Sequence, residues 1–218
     1  MPAPRIVLAD DHEFVRRGVR SILEAEPGWK VVGEVADGHE AVAMVKDLKP
    51  DILVLDIGMP RLNGLDAARR IRKVSPETKV LILSMHDSEN LAKAVVHAGA
   101  LGYVTKSDTG RDLVLAIHAL LRGKIFFTPC VDRIMLECFS HDDKKPRPKD
   151  DLQGQLTSRQ REIVQLLAEG KSSKEVSSTL GLSVKTVETH RANIMRRLGC
   201  HSVSDLVRYA LRNTIIQV

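Results

Sequence analysis

The rhythm of hydrophobic and polar positions changes character twice along this chain. Ile6-Val7-Leu8-Ala9, Ile52-Leu53-Val54-Leu55 and Leu81-Ile82-Leu83 are uninterrupted apolar runs, each ending in a polar residue. Short runs without alternation read as strands buried on both faces, as in a parallel sheet. Between them the spacing becomes helical. A helix is expected from His12 to about Ala25, with Phe14, Val15, Val19, Ile22 and Leu23 as its apolar stripe. A second strand follows at Trp29 to Val35, and a helix from His39 to Leu48 turns Ala41, Val42, Met44 and Val45 inward. After the Asp56 strand, 60–64 reads as a loop and 65–74 as a helix stopped by Ser75-Pro76. Val80 to Leu83, the helix Ser88 to Ala98 capped by Gly99, the short strand Tyr103-Val104 and the helix Thr109 to Arg122 complete the series. Strand and helix alternate five times, which predicts a doubly wound α/β fold, a five-stranded parallel sheet in the order 2-1-3-4-5.

From Leu156 the pattern is purely helical. Thr157-Ser158-Arg159-Gln160 and Ser172-Ser173-Lys174-Glu175 both fit capping boxes, and Gly170 ends the first helix. Gly181-Leu182-Ser183 makes a tight turn before a helix over 184–198, stopped by Gly199, and a fourth helix spans 203–212. Two short helices joined by a three-residue turn with glycine form a helix-turn-helix. Between the two regions, 140–151 is polar, mixed in charge and contains prolines, as a solvated linker does; Asp132 to Phe139 leaves room for a short helix. The expected division is a domain over 1–125, a linker over 126–151 and a small all-α domain over 152–218.

Charge sharpens this division. Residues 1–140 hold 19 Lys and Arg against 19 Asp and Glu, whereas residues 152–218 hold 10 against 5. The excess of +5 therefore lies in the C-terminal third, so only that module is expected to meet a polyanion. No stretch reaches the ~18 apolar residues of a membrane span, and the start Met1-Pro2-Ala3-Pro4 lacks the features of a signal peptide. The three cysteines, Cys130, Cys138 and Cys200, match no metal-ligand spacing, which suits free thiols and a cytoplasmic setting. Apolar neighbours make Cys130 and Cys138 inert buried thiols rather than a redox pair.

Candidate chemistry gathers where the apolar runs end. Asp10-Asp11 follow the first strand and Asp56 ends the third, at the edge where open α/β sheets bind ligands. Three converging carboxylates call for a cation. Ser84 ends the fourth strand and Lys106 follows the fifth. These groups fit one reaction: Asp56 attacks a phosphoryl group, Mg²⁺ and Lys106 take up charge on its oxygens, and Ser84 hydrogen-bonds one of them. Any one carboxylate alone would read as a helix cap or solvated turn, but that does not explain four strand ends.

Over residues 5 to about 122 the acidic pair, the Asp56-Ile57-Gly58-Met59-Pro60 segment, Ser84 and Lys106 resemble the receiver domains of two-component response regulators. The resemblance implies that Asp56 is the phosphoacceptor and that Asp11, Asp56 and the Gly58 carbonyl ligate Mg²⁺, with Asp10 assisting through water. Ser84 moving toward the phosphoryl oxygens would open space for Tyr103, a switch whose plain alternative is that Tyr103 merely packs an edge; the resemblance makes the face of the fourth helix, fifth strand and fifth helix the output surface. Residues 152–215 resemble the LuxR-type DNA-binding domain. The matching residues are Leu156-Thr157, Arg161-Glu162, Glu169-Gly170-Lys171-Ser172, Lys174-Glu175-Val176, Lys185-Thr186-Val187-Glu188-Thr189-His190, Asn193-Ile194 and Leu198-Gly199. Together they resemble the NarL/FixJ family, which implies a DNA-binding transcriptional regulator, not an enzyme, served by a sensor histidine kinase and forming a homodimer when phosphorylated. Gln160 stands where Glu is usual and Ser177 where Ala is usual. Gly58 removes bulk that many receivers carry beside the site, which bears on the lifetime of the phosphoryl group.

Two other readings use the same residues. A haloacid-dehalogenase-type hydrolase would need a carboxylate two residues after Asp56, where this chain has Gly58. A phosphorylation-independent regulator would keep the fold without the chemistry, yet all four key side chains are present. On the helix 184–198, Val187, Ile194 and Leu198 form the expected buried stripe, leaving Lys185, Glu188, Thr189, Ala192 and Arg196 outward. Glu188, Thr189 and Ala192 are expected at base edges; Lys174, Lys185, Thr186 and Arg191 are expected at phosphates of double-stranded DNA.

Overall fold

The computed structural model describes residues 3–85, 88–107, 110–127 and 156–216. The expected helix over 132–139, Cys130, Cys138 and all but the start of the expected linker lie outside these residues. Residues up to 127 belong to one compact unit and those from 156 onward to a second.

The first unit runs β1 (Arg5–Ala9), α1 (Glu13–Glu24), β2 (Lys30–Val35), α2 (Gly38–Leu48), β3 (Ile52–Asp56), α3 (Gly64–Val74), β4 (Lys79–Ser84), α4 (Glu89–Ala98), β5 (Gly102–Thr105) and α5 (Gly110–Leu121). All strand pairs are parallel and the order is β2-β1-β3-β4-β5, as the alternation of elements predicts. β3 is buried at every position, because helices cover both faces of the sheet. The pleat sends alternate residues to two separate cores. Val7, Leu53, Leu55 and Ile82 meet Ala41, Val45, Leu65, Ile71, Leu91 and Val95 on the α2–α4 side. Ile6, Leu8, Val54 and Leu81 meet Leu23, Leu113, Ala116 and Ile117 on the α1–α5 side. After α5 the chain returns to the sheet edge: the Phe126 amide donates to the Leu101 carbonyl at 3.0 Å, and its carbonyl accepts from Tyr103 at 2.9 Å.

One member of the expected α1 stripe departs from it. Leu23 is buried and Val19 and Ile22 pack against the core, but Phe14 is 90% exposed. At about 100° per residue Phe14 falls one step behind Val15 around the helix, off the face that meets the sheet.

The second unit contains α6 (Ser158–Ala168), α7 (Ser173–Leu180), α8 (Val184–Leu198) and α9 (Val203–Arg212). Thr157 with Gln160, Ser172 with Glu175 and Ser202 with Asp205 close complete capping boxes. Gly181 ends α7 and Gly199 ends α8, both in the left-handed conformation glycine adopts without penalty. Ile163, Val164, Leu166, Val176, Val187, Ile194 and Leu206 form the core, so one face of α8 is fixed inward and the other is left to solvent.

Candidate functional site

Asp10 lies just beyond the last residue of β1 and Asp56 is the last of β3, neighbours in the sheet. Both are buried. Lys106 follows β5 directly and reaches across this end of the sheet. Its ammonium lies 2.7 Å from Asp10 Oδ2 and 2.9 Å from Asp56 Oδ1, with only 7% of its side chain exposed. Ser84, fully buried, ends β4 and pairs in register with Thr105. Its carbonyl accepts the Lys106 amide at 2.7 Å. The structure thus brings together the four strand ends that the sequence singles out.

The electrostatics follow from burial. Withdrawal from water is the main cause that raises the Asp56 pKa above the ordinary aspartate value; Lys106 pulls it back down, and Asp10 and Asp11 push it up again. For Lys106, burial works against the charge, yet Asp56 and Asp10 outweigh it and hold its pKa above the usual lysine value. Three carboxylates face one ammonium, so the pocket keeps a formal excess of two negative charges. Asp10 Oδ2 and Asp11 Oδ1 are shielded from solvent; Asp10 Oδ2 meets the Lys106 ammonium and Asp11 Oδ1 meets His12 Nδ1, each at 2.7 Å. Oxygen ligands and a formal net charge of −2 fit a divalent cation of the Mg²⁺ kind. The ligand atoms of Asp10, Asp11, His12 and Asp56 all lie within 4.8 Å of one another.

Two further features hold this pocket, and neither is visible in sequence spacing. Gly64 opens α3 so close to the active strand that a Cβ there would sit 1.9 Å from the Asp56 carbonyl oxygen. Arg61, in the loop that carries Gly58, adopts a left-handed backbone, φ 64°. Its guanidinium hydrogen-bonds buried Asp37 and, at 3.2 Å, Glu40, while Asp37 caps α2 through the His39 amide at 2.6 Å. The β3–α3 loop is thereby tied to the start of α2.

Tyr103 is fully buried on the α2–α4 side, the side to which alternation also assigns Ser84. Ser84 and Tyr103 thus stand on adjacent strands at the carboxyl end of the sheet, beside the end of β3 that carries Asp56.

In the second unit, Val187 and Ile194 are buried and Leu198 packs against them, as the periodicity predicts. Lys174, Lys185, Thr186, Glu188, Thr189, Ala192 and Arg196 are exposed, and Arg191 is half-buried. Ser183 caps α8 by accepting from the Thr186 amide at 3.0 Å. The Thr189 hydroxyl donates back to the Lys185 carbonyl at 2.9 Å. The exposed side of α8 thus begins with a helix N-terminus and a lysine, as anions require.

Residues 6–118 match the family described as the response regulator receiver domain, and residues 154–210 match the bacterial regulatory proteins of the luxR family. The chain is 38% identical to the oxygen regulatory protein NreC of Staphylococcus aureus over 98% of its own length and 99% of that protein's. Among solved structures, it is similar to a LuxR-family two-component response regulator from Aurantimonas at 39% identity. That likeness has a TM-score of 0.59 and covers 64% of this chain and 99% of the other. It is also similar to RcsB, solved as two dimers bound to two parallel DNAs, at 27% identity and TM-score 0.58, covering 94% and 97% of the two chains. No helix among the described residues is long and apolar enough to cross a membrane.

Proposed function

The chain belongs to the NarL/FixJ family of response regulators, DNA-binding transcriptional regulators that join a receiver to a LuxR-type helix-turn-helix, and on that premise we propose that Asp56 is its phosphoacceptor. The observation that carries this reading is the Lys106 ammonium held between Asp10 and Asp56. The Asp56 carboxylate is the nucleophile, and a sensor histidine kinase is the donor. Lys106 orients Asp56 before transfer and then meets charge on the phosphoryl oxygens, with Ser84 donating to one of them. Asp11, Asp56 and the Gly58 carbonyl would hold Mg²⁺, with Asp10 assisting. When bound, the ion neutralises the pocket and the incoming phosphoryl oxygens.

Ser84 and Tyr103 share a face and a sheet end, so a shift of Ser84 toward the phosphoryl group is felt by the Tyr103 ring. Phosphorylation can only bias arrangements that differ in their contacts with it. This coupling favours a homodimer that binds promoter DNA through α8, in the cytoplasm. Glu188, Thr189 and Ala192 read bases; Lys174, Lys185, Thr186 and Arg191 hold phosphates. The domains are 1–125 and 152–218, joined by 126–151.

The test is incubation with acetyl phosphate and Mg²⁺ followed by mass measurement. Wild type gains the mass of one phosphoryl group and Asp56→Asn gains none. Labelling of Asp56→Asn overturns the assignment. Unlabelled wild type that still footprints its promoter points instead to a phosphorylation-independent regulator.

A further inference from the structure

His12 occupies the N-cap of α1, yet its side chain makes no capping hydrogen bond. Its backbone amide donates to Asp10 Oδ1 at 2.8 Å, which fixes the residue over the end of β1. The ring is turned toward the acidic pocket: Nδ1 stands 2.7 Å from Asp11 Oδ1 and 3.4 Å from Asp10 Oδ1. With 66% of the side chain exposed, the ring is also free to adjust. A cap position is thus occupied by a nitrogen that faces three carboxylates. Two of their oxygens are shielded from solvent: Asp10 Oδ2, which meets the Lys106 ammonium, and Asp11 Oδ1, which meets this imidazole nitrogen.

We propose that His12 Nδ1 is an additional ligand of the cation pocket, so that the site takes first-row transition divalent ions, of the Co²⁺ and Ni²⁺ class, as well as Mg²⁺. The inference rests on the reading of Asp10, Asp11 and Asp56 as a cation site. Opposite ligands around such an ion stand up to roughly 4.4 Å apart at bond lengths near 2.0–2.2 Å. The four ligand atoms here already lie within 4.8 Å of one another, so a small closing movement completes the set. An all-oxygen pocket suits Mg²⁺; one neutral imidazole shifts preference toward metals that bond nitrogen well, and affinity rises from Mn²⁺ through Co²⁺ to Ni²⁺. The simpler role for His12, a surface ion pair with Asp11, contributes little by itself at such exposure. It also gives no reason for the loss of the cap.

The experiment is calorimetric titration of the untagged full-length protein with Mg²⁺, Co²⁺ and Ni²⁺, comparing wild type, His12→Ala and Asp11→Asn. Proton NMR of the Co²⁺ form accompanies it. His12→Ala should bind Co²⁺ and Ni²⁺ about tenfold or more weakly and Mg²⁺ as wild type does. A hyperfine-shifted imidazole N–H should be present in wild type and absent from His12→Ala. An unchanged ratio of Co²⁺ to Mg²⁺ affinity in His12→Ala overturns the inference and leaves the cation site standing. Undiminished Co²⁺ binding by Asp11→Asn overturns it too, by placing the ion elsewhere. If wild type binds neither Mg²⁺ nor Co²⁺, the cation site itself is wrong and both readings fall.

Discussion

The Lys106 amide donates to the Ser84 carbonyl at 2.7 Å, so the residue whose ammonium touches Asp56 is fastened through its backbone to the end of β4. A movement of Lys106 on phosphorylation would reach the end of β4 through this bond. Ser84→Ala should therefore still be phosphorylated on Asp56, more slowly for want of the hydroxyl donor, but lose the phosphorylation-dependent gain in dimerisation and DNA affinity. Sedimentation and promoter titration before and after acetyl phosphate read this. A wild-type gain in the variant removes Ser84 from the switch.

Lys106→Met leaves buried Asp10 and Asp56 without their counter-ion. Breaking a buried pair from one side costs roughly 3–5 kcal/mol. Urea unfolding in chelator should show a loss of that order, partly restored by Mg²⁺. An unchanged midpoint would mean that the two carboxylates do not depend on Lys106.

Asp56→Asn should alter stability in a pH-dependent way. Burial holds the Asp56 carboxyl above its unfolded pKa, so the native state binds this proton more tightly than the unfolded chain does. Its contribution to stability is full below the unfolded value and is lost as pH rises through the folded value. Asp56→Asn should therefore melt above wild type at pH 7 in chelator, and the difference should shrink on acidification. A difference that grows on acidification gives the shift the opposite sign.

Mg²⁺ should raise the melting temperature of wild type. A ligand at a hundredfold excess over its Kd contributes about 2.7 kcal/mol. Asp11→Asn, which removes one of the shielded oxygens, should lose most of the shift. The same shift in both proteins would place the ion away from this pocket.

Lys185→Ala should weaken binding to all DNA sequences alike and lower the salt slope by about one unit. Glu188→Ala should change which sequences are preferred, by ~1–3 kcal/mol at the matched base pair. Selection from random DNA, with titrations at several salt concentrations, distinguishes the two. An identical selected motif for Glu188→Ala and wild type would move the reading face.

The sheet was legible because its strands are unbroken apolar runs, and the strand-end residues Asp10, Asp56, Ser84 and Lys106 were legible because each interrupts or follows such a run. α8 was equally plain, since Val187 and Ile194 repeat at helical spacing between Ser183 and Gly199. Phe14 misled because an apolar residue beside a stripe looks like part of it until the sheet fixes the buried arc. Arg61, Gly64 and His12 left no signal. Arg61 acts on Asp37, 24 residues away, and the need for Gly64 arises only when α3 meets the Asp56 backbone. The role of His12 depends on a ring turned away from the helix it precedes. All three are consequences of folding rather than of local pattern.

The internal hydrogen bond of Thr189 narrows what that side chain can say to DNA. Its one hydroxyl proton is already given to the Lys185 carbonyl, so it presents to a base an acceptor oxygen and a methyl group. In a major groove it can answer the amines of adenine and cytosine or lie against the methyl of thymine, while the double acceptor of guanine finds no proton there. If Thr189 meets a base as proposed, keeping this bond to Lys185 disfavours guanine at that position.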